Sequence, residues 1–170
     1  NIFSNKRPQG ASTITQQVAK NFLLTDELSL SRKIKEAILA IKIETAFSKN
    51  RILELYLNQI YLGSGTYGVA AASNRYFKKS LQDINIEEAA FLAALPKAPS
   101  NYHPIKNYDN AVARRNWVLN RMYANSYIDK NILDIATSKK LITSIDKSNK
   151  KYSSDYYSEE VKRKIINIFG

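Results

Sequence analysis

Apolar residues recur along this chain at spacings of three and four, the period of helices that pack on one side. From Leu30, the positions Leu30, Ile34, Ala37, Ile38 and Ile41 form one stripe; Arg32, Glu36, Ala40 and Glu44, each four residues apart, form another. The pattern predicts an amphipathic helix with the apolar stripe inward and Arg32–Glu36 outward. Ser48 is placed to cap the next helix, which carries Ile52, Leu53, Tyr56, Leu57 and Ile60 and is ended by Gly63. Val69 to Phe77 reads as a short Ala-rich helix. Asn85 with Glu88 three residues on gives a capping-box start for a helix through Leu95, stopped by Pro96. Pro96, Pro99 and Pro104 make the chain irregular up to Tyr108. Asp109 reads as the cap of a helix reaching about Tyr123, and Asp129 as the cap of another through Ala136. No stretch makes a convincing strand, and there is no internal repeat. Residues 143–157, rich in Ser, Lys, Asn and Tyr without a period, read as a linker, and 158–169 as the start of something new.

Composition narrows the classes. The 170 residues are 44% hydrophobic and 24% charged, which fits one domain, or one plus a tail, with a sizeable core. No cysteine is present, which excludes disulfides, Cys-zinc sites and thiol nucleophiles, and a single His excludes multi-His metal sites. The longest apolar run, Ala89 to Leu95, is too short to span a bilayer, so any membrane anchor is expected outside this sequence. The net charge of +11 draws polyanions: nucleic acid, anionic lipid or phosphorylated substrates. The surplus sits at both ends, with 8 positive and 4 negative side chains in residues 1–50 and 13 against 7 in 101–170. The Lys147–Lys151 run reads as a solvated linker.

Three segments carry candidate chemistry. In Gly10–Asn21, polar side chains crowd Ser12–Gln17, and Thr13, Gln17, Lys20 and Asn21 share a face at offsets of four, seven and eight. Near a helix N-terminus, such groups make either a phosphate cradle or an ordinary capped helix with a polar face. In Arg32-Lys33…Glu36, the choice lies between a surface ion pair and two cations holding a phosphorylated group beside a carboxylate kept ionised. Gly63-Ser-Gly-Thr-Tyr-Gly68 matches G-x-G-x-x-G literally, but a helix precedes it and no βαβ unit follows. It reads as a glycine-hinged turn. His103, between Tyr102 and Pro104, has no partner in sequence for a Ser-His-Asp triad.

Gly-Ala-Ser-Thr-Ile-Thr-Gln-Gln-Val-Ala-Lys-Asn (10–21), Arg-Lys-Ile-Lys-Glu (32–36) and Arg-Ile-Leu-Glu-Leu-Tyr-Leu-Asn (51–58) resemble successive motifs of the peptidoglycan glycosyltransferases, glycosyltransferase family 51. So do Gly-Ser-Gly-Thr-Tyr-Gly-Val-Ala-Ala-Ala (63–72) with Tyr76-Phe77, and Leu-Ala-Ala-Leu-Pro-Lys-Ala-Pro (92–99). The tail from Asp155 resembles the segment leading into the transpeptidase domain of class A penicillin-binding proteins. The resemblance implies a mainly α, lysozyme-like fold over residues 1–142, with 143–170 a linker toward a transpeptidase region. It implies polymerisation of lipid II into a growing glycan strand, with release of undecaprenyl pyrophosphate at the outer face of the cytoplasmic membrane. Cell-wall synthesis proteins become possible partners. No cofactor is implied beyond a divalent cation at the pyrophosphate site.

The same resemblance assigns Lys20, Arg32 and Lys33 to the pyrophosphate, Ser12, Thr13, Gln17 and Asn21 to the substrate lining, and Glu36 to the organisation of that site. The family's general-base glutamate, in an acidic pair followed by Phe and His, is not among residues 1–9, and the first acidic residue is Asp26. The chain alone is therefore expected not to polymerise lipid II. A monofunctional transglycosylase is the near alternative. A lytic transglycosylase would not explain the paired cations. A basic helical module for membrane or nucleic acid is the rival class, but no helix reads as a base-recognition helix, so no nucleic-acid partner is expected.

Overall fold

The computed structural model describes residues 12–22 and 30–145. Seven α-helices are found among them: α1 (Ile14–Phe22), α2 (Leu30–Ala46), α3 (Lys49–Gln59), α4 (Val69–Phe77), α5 (Ile86–Ala94), α6 (Tyr108–Ala124) and α7 (Lys130–Ser138). The expected mainly α class holds, and the one β contact among these residues is a bridge between Tyr61 and Tyr67. The remainder of the predicted linker, the Lys147–Lys151 run and residues 158–169 lie outside the described residues.

Local sequence explains most boundaries. Ser48 accepts from the Arg51 N–H at 3.3 Å, and Asp129 from the Ile132 N–H at 2.8 Å, so α3 and α7 start where side chains satisfy the first free amides. The Asn85–Glu88 capping box starts α5, and its last turn tightens into a 3₁₀ turn over Leu95–Lys97. One expected cap is wrong. Asn107 occupies the cap position of α6, and Asp109 falls inside the first turn, where its carboxylate favours the positive end of the helix.

The main core joins α4, α5 and the start of α6. Tyr76, Phe77 and Phe91 meet there, with both contacts to Phe91 edge-on, at 5.4 and 6.0 Å between ring centres. A second cluster, Ala90, Leu119, Ile128, Leu133 and Ala136, packs α7 on α5 and α6. Arg115, only 1% exposed, donates to the carbonyls of Thr137 and Lys139 at the C-terminal end of α7, which anchors that helix. Beyond α7, Leu141 is buried and the Ser144 N–H donates to the Tyr76 carbonyl at 2.6 Å.

The Gly63–Gly68 segment is the glycine-hinged turn its sequence implies. Gly63, Ser64, Gly65 and Gly68 all have positive φ, at 85°, 51°, 72° and 81°. At Gly68 a Cβ would lie 2.5 Å from the Asn58 carbonyl oxygen. Gly68→Ala therefore combines a left-handed backbone with a clash against main chain, and should cost about 2 kcal/mol or more, read as a lower denaturant midpoint.

Candidate active site

α1 and α2 build the site from the side of the fold opposite in sequence to the main core. Thr15, Val18 and Ala19, spaced three and four apart, face inward from α1 and pack with Ala40 and Ile43 of α2 and Ile52 of α3. The Thr15 hydroxyl donates to Glu44 Oε1 at 2.7 Å and ties the start of α1 to the end of α2. Sequence reading noted both residues but not this pairing, which joins positions 29 apart.

The burial of α2 reverses the sequence expectation. Arg32, Glu36, Ala40 and Ile43 are the buried positions, whereas Leu30, Ile34, Ile38 and Ile41 are 80%, 54%, 52% and 64% exposed. The inward face is the one with small Ala40 and a self-neutralising charge pair. Arg32 Nη1 donates to Glu36 Oε1 at 2.6 Å, and Lys33 Nζ to Oε2 at 2.8 Å. The Arg32 and Glu36 side chains are 8% and 3% exposed, so the surface ion-pair alternative is ruled out. Burial of such a pair is tolerable because each carboxylate oxygen has a charged donor.

Lys20, on the α1 face that also carries Gln17 and Asn21, is close enough to act on the same carboxylate. The hydrogen bond from Lys33 is the foremost influence holding the Glu36 carboxyl below its ordinary value of 4.5. Burial opposes it, and the charges of Lys33, Arg32 and Lys20 add to the lowering. Glu36 is thus ionised at neutral pH, with three cations around one anion. Among the described residues, the cluster holds Arg32, Lys33 and Lys20 against Glu36.

The structure brings Lys20, Arg32, Lys33 and Glu36 together. It does not place this group at the start of α1, as the phosphate-cradle reading had it. Lys20 lies in the last turn, and the helix start is already closed by Thr13 and Gln16, which exchange hydrogen bonds of 3.0 and 3.1 Å. The cations, not the helix N-terminus, supply the positive field. Ser12 and Thr13 are exposed before α1, Gln17 is half-buried, and Lys20 and Asn21 are exposed near its end. His103 takes part in no such group: its Nδ1 accepts from the Ile105 and Lys106 amides at 3.2 and 3.3 Å and shapes a turn. Among the described residues, no group of three or more His, Cys, Asp or Glu could hold a metal ion. A separate, mostly apolar cavity of about 470 Å³ between α3, α4, α5 and α6 includes none of the predicted site residues.

Comparison with known proteins decides the family. A family model described as Transglycosylase matches residues 1–123. This chain belongs to the transglycosylase family. The transglycosylase chain is 48% identical over 170 residues to penicillin-binding protein 1A of Rickettsia prowazekii, covering 100% of this chain and 22% of that protein. It is 53% identical over 162 residues to penicillin-binding protein 1A of Aquifex aeolicus, covering 95% of this chain and 22% of that protein. The 2.6 Å crystal structure of penicillin-binding protein 1A from Haemophilus influenzae superposes with a TM-score of 0.55 at 33% identity, over 97% of this chain and 22% of that one. The helical fold is therefore a transglycosylase fold, and the chain spans about a fifth of the length of the relatives it matches.

Proposed function

We propose that this transglycosylase domain polymerises lipid II into glycan strands and belongs to a bifunctional penicillin-binding protein of cell-wall synthesis. The observation that carries the reading is the buried, ionised Glu36 with Arg32, Lys33 and Lys20 around it. When the acceptor's 4-hydroxyl attacks the anomeric carbon of the growing strand, that carbon inverts and the bond to pyrophosphate breaks. The leaving group gains negative charge, and cations already fixed in place stabilise the transition state without reorganising. Glu36 acts here as a positioning residue: it holds Arg32 and Lys33 at defined distances. Ser12, Thr13, Gln17 and Asn21 would hydrogen-bond the substrate from α1 and the turn before it.

A divalent cation suits these residues poorly. Among the described residues it would find one carboxylate in the cluster, both of whose oxygens accept from cations, so no step is routed through a metal.

Location at the outer face of the cytoplasmic membrane is part of the same proposal. Among the described residues, no helix is long and apolar enough to cross a membrane. The exposed stripe of α2, by contrast, suits a lipid surface: Leu30, Ile34, Ile38 and Ile41 lie on one face, with Lys33 on one flank and Lys35 and Lys42 on the other. Residues 143–170 would lead toward a transpeptidase region.

Binding of lipid II in detergent tests the reading. We expect saturable binding that a phosphoglycolipid inhibitor of transglycosylases displaces. A folded chain that binds neither would contradict it.

A further inference from the structure

The cavity of about 470 Å³ between α3, α4, α5 and α6 shares no residue with the Glu36 cluster. Ile60, Leu62, Val69 and Leu92 wall it, and Leu62 and Leu92 belong to the main core, so its shape is set by helix packing. A mostly apolar cavity of this size with a few polar groups is the usual form of a small-molecule site. The polar groups here are all donors. Lys97, Arg114 and Tyr56 line the cavity, and no acidic side chain does. Burial pushes the Tyr56 phenol above its ordinary 10.0, so it stays a neutral donor.

Arg114 points to what would bind. Its guanidinium carbon lies 3.9 Å from the centre of the Trp117 ring, which covers one face of the plane. The donors lie around the edge of that plane, and the Nε–H is buried with no acceptor. Buried donors are normally paired, so an unpaired one needs a reason, and an acceptor on a ligand supplies it. Among the described residues, neither Arg114 nor Lys97 makes an ion pair. Two cations without counter-ions beside an apolar hollow complement a molecule with a hydrocarbon tail and one anionic end.

We propose that this cavity binds a single-chain anionic amphiphile, a medium-length fatty-acid carboxylate, with its tail against Ile60, Val69 and Leu92 and its head on Arg114 and Lys97. A carboxylate laid along the guanidinium edge pairs Nε and one Nη at once. Each methylene withdrawn from water adds about fourfold in affinity, and the head selects the charge. The site is independent of the pyrophosphate reading, which stands or falls without it.

Trp117 is the one tryptophan of the chain and lies against Arg114, so its fluorescence reports occupancy. Decanoate, added to the chain below its micelle concentration, should shift that emission saturably. Octanoate, two methylenes shorter, should bind about tenfold more weakly. Decylammonium and 1-decanol, which lack the anion, should also lose about tenfold. Ala93→Phe, at an exposed position of the cavity wall, should fill the space and abolish binding. Arg114→Gln should weaken decanoate about tenfold and leave 1-decanol unchanged. Thermal melts check that both variants fold; if either does not, the ranking of decanoate, 1-decanol and decylammonium on the unaltered chain decides. No saturable shift with decanoate, equal affinity for 1-decanol, or undiminished affinity in a folded Ala93→Phe would overturn the site. Displacement of decanoate by undecaprenyl pyrophosphate would overturn it in favour of the substrate's own tail. A chain that dimerises, with Ala93→Phe restoring the monomer, would overturn it in favour of a second copy.

Discussion

Glu36→Ala should destabilise the fold by about 1–3 kcal/mol, because the buried Arg32 guanidinium loses its 2.6 Å bond to this carboxylate. Most of that cost comes from Arg32; Lys33, whose side chain is 55% exposed, can return its charge to water. Glu36→Gln preserves shape and separates the effects of charge from those of volume. The folded-state pKa of Glu36 lies below its ordinary value of 4.5. Its ionic stabilisation is therefore complete above that pH and is lost as pH falls through the folded value. Glu36→Gln should accordingly flatten the stability curve below pH 4.5, measured by denaturant unfolding at a series of pH values. In the protein that carries this domain, the same change should cut lipid II polymerisation at least about a hundredfold, since Arg32 and Lys33 lose their fixed positions. A loss under threefold would return Glu36 to a purely structural pair.

Lys20→Ala should separate function from folding. Lys20 is exposed in the last turn of α1, so its removal should change the unfolding midpoint very little. Removing one preorganised charge from a leaving-group site should nevertheless cost about 10²–10³-fold in polymerisation rate. Arg32→Ala cannot make the same separation, because Arg32 is buried against Glu36 and its loss would disturb folding as well. Near-normal polymerisation by Lys20→Ala would remove Lys20 from the site.

Sequence alone reveals those parts of the fold that depend on near neighbours. The Asn85–Glu88 box and Pro96 bracket α5, and Ser48 and Asp129 start α3 and α7, because each signal acts within one turn. The facing of α2 depends instead on α1. Periodicity identifies which residues share a stripe, but not which stripe another helix will cover. Thr15, Val18 and Ala19 cover the face with Arg32 and Glu36, and the more apolar stripe stays outside. Arg115 escaped notice for a similar reason, since its carbonyl partners lie 22 and 24 residues away. At the site, the resemblance picked out Lys20, Arg32, Lys33 and Glu36. The burial of Arg32 and Glu36, and the bonds that Arg32 and Lys33 make to that carboxylate, replace the expected surface ion pair with a buried one.

On this reading the cationic group holds a pyrophosphate. This is tested most directly by the affinity of the chain for undecaprenyl pyrophosphate against undecaprenyl monophosphate in detergent, at increasing salt, for the unaltered chain and Lys20→Ala. We expect tighter binding of the pyrophosphate, affinity that falls as salt rises, and a weaker salt dependence once Lys20 is gone. Equal affinity for the two lipids, with no change in either affinity or salt dependence in Lys20→Ala, would contradict it.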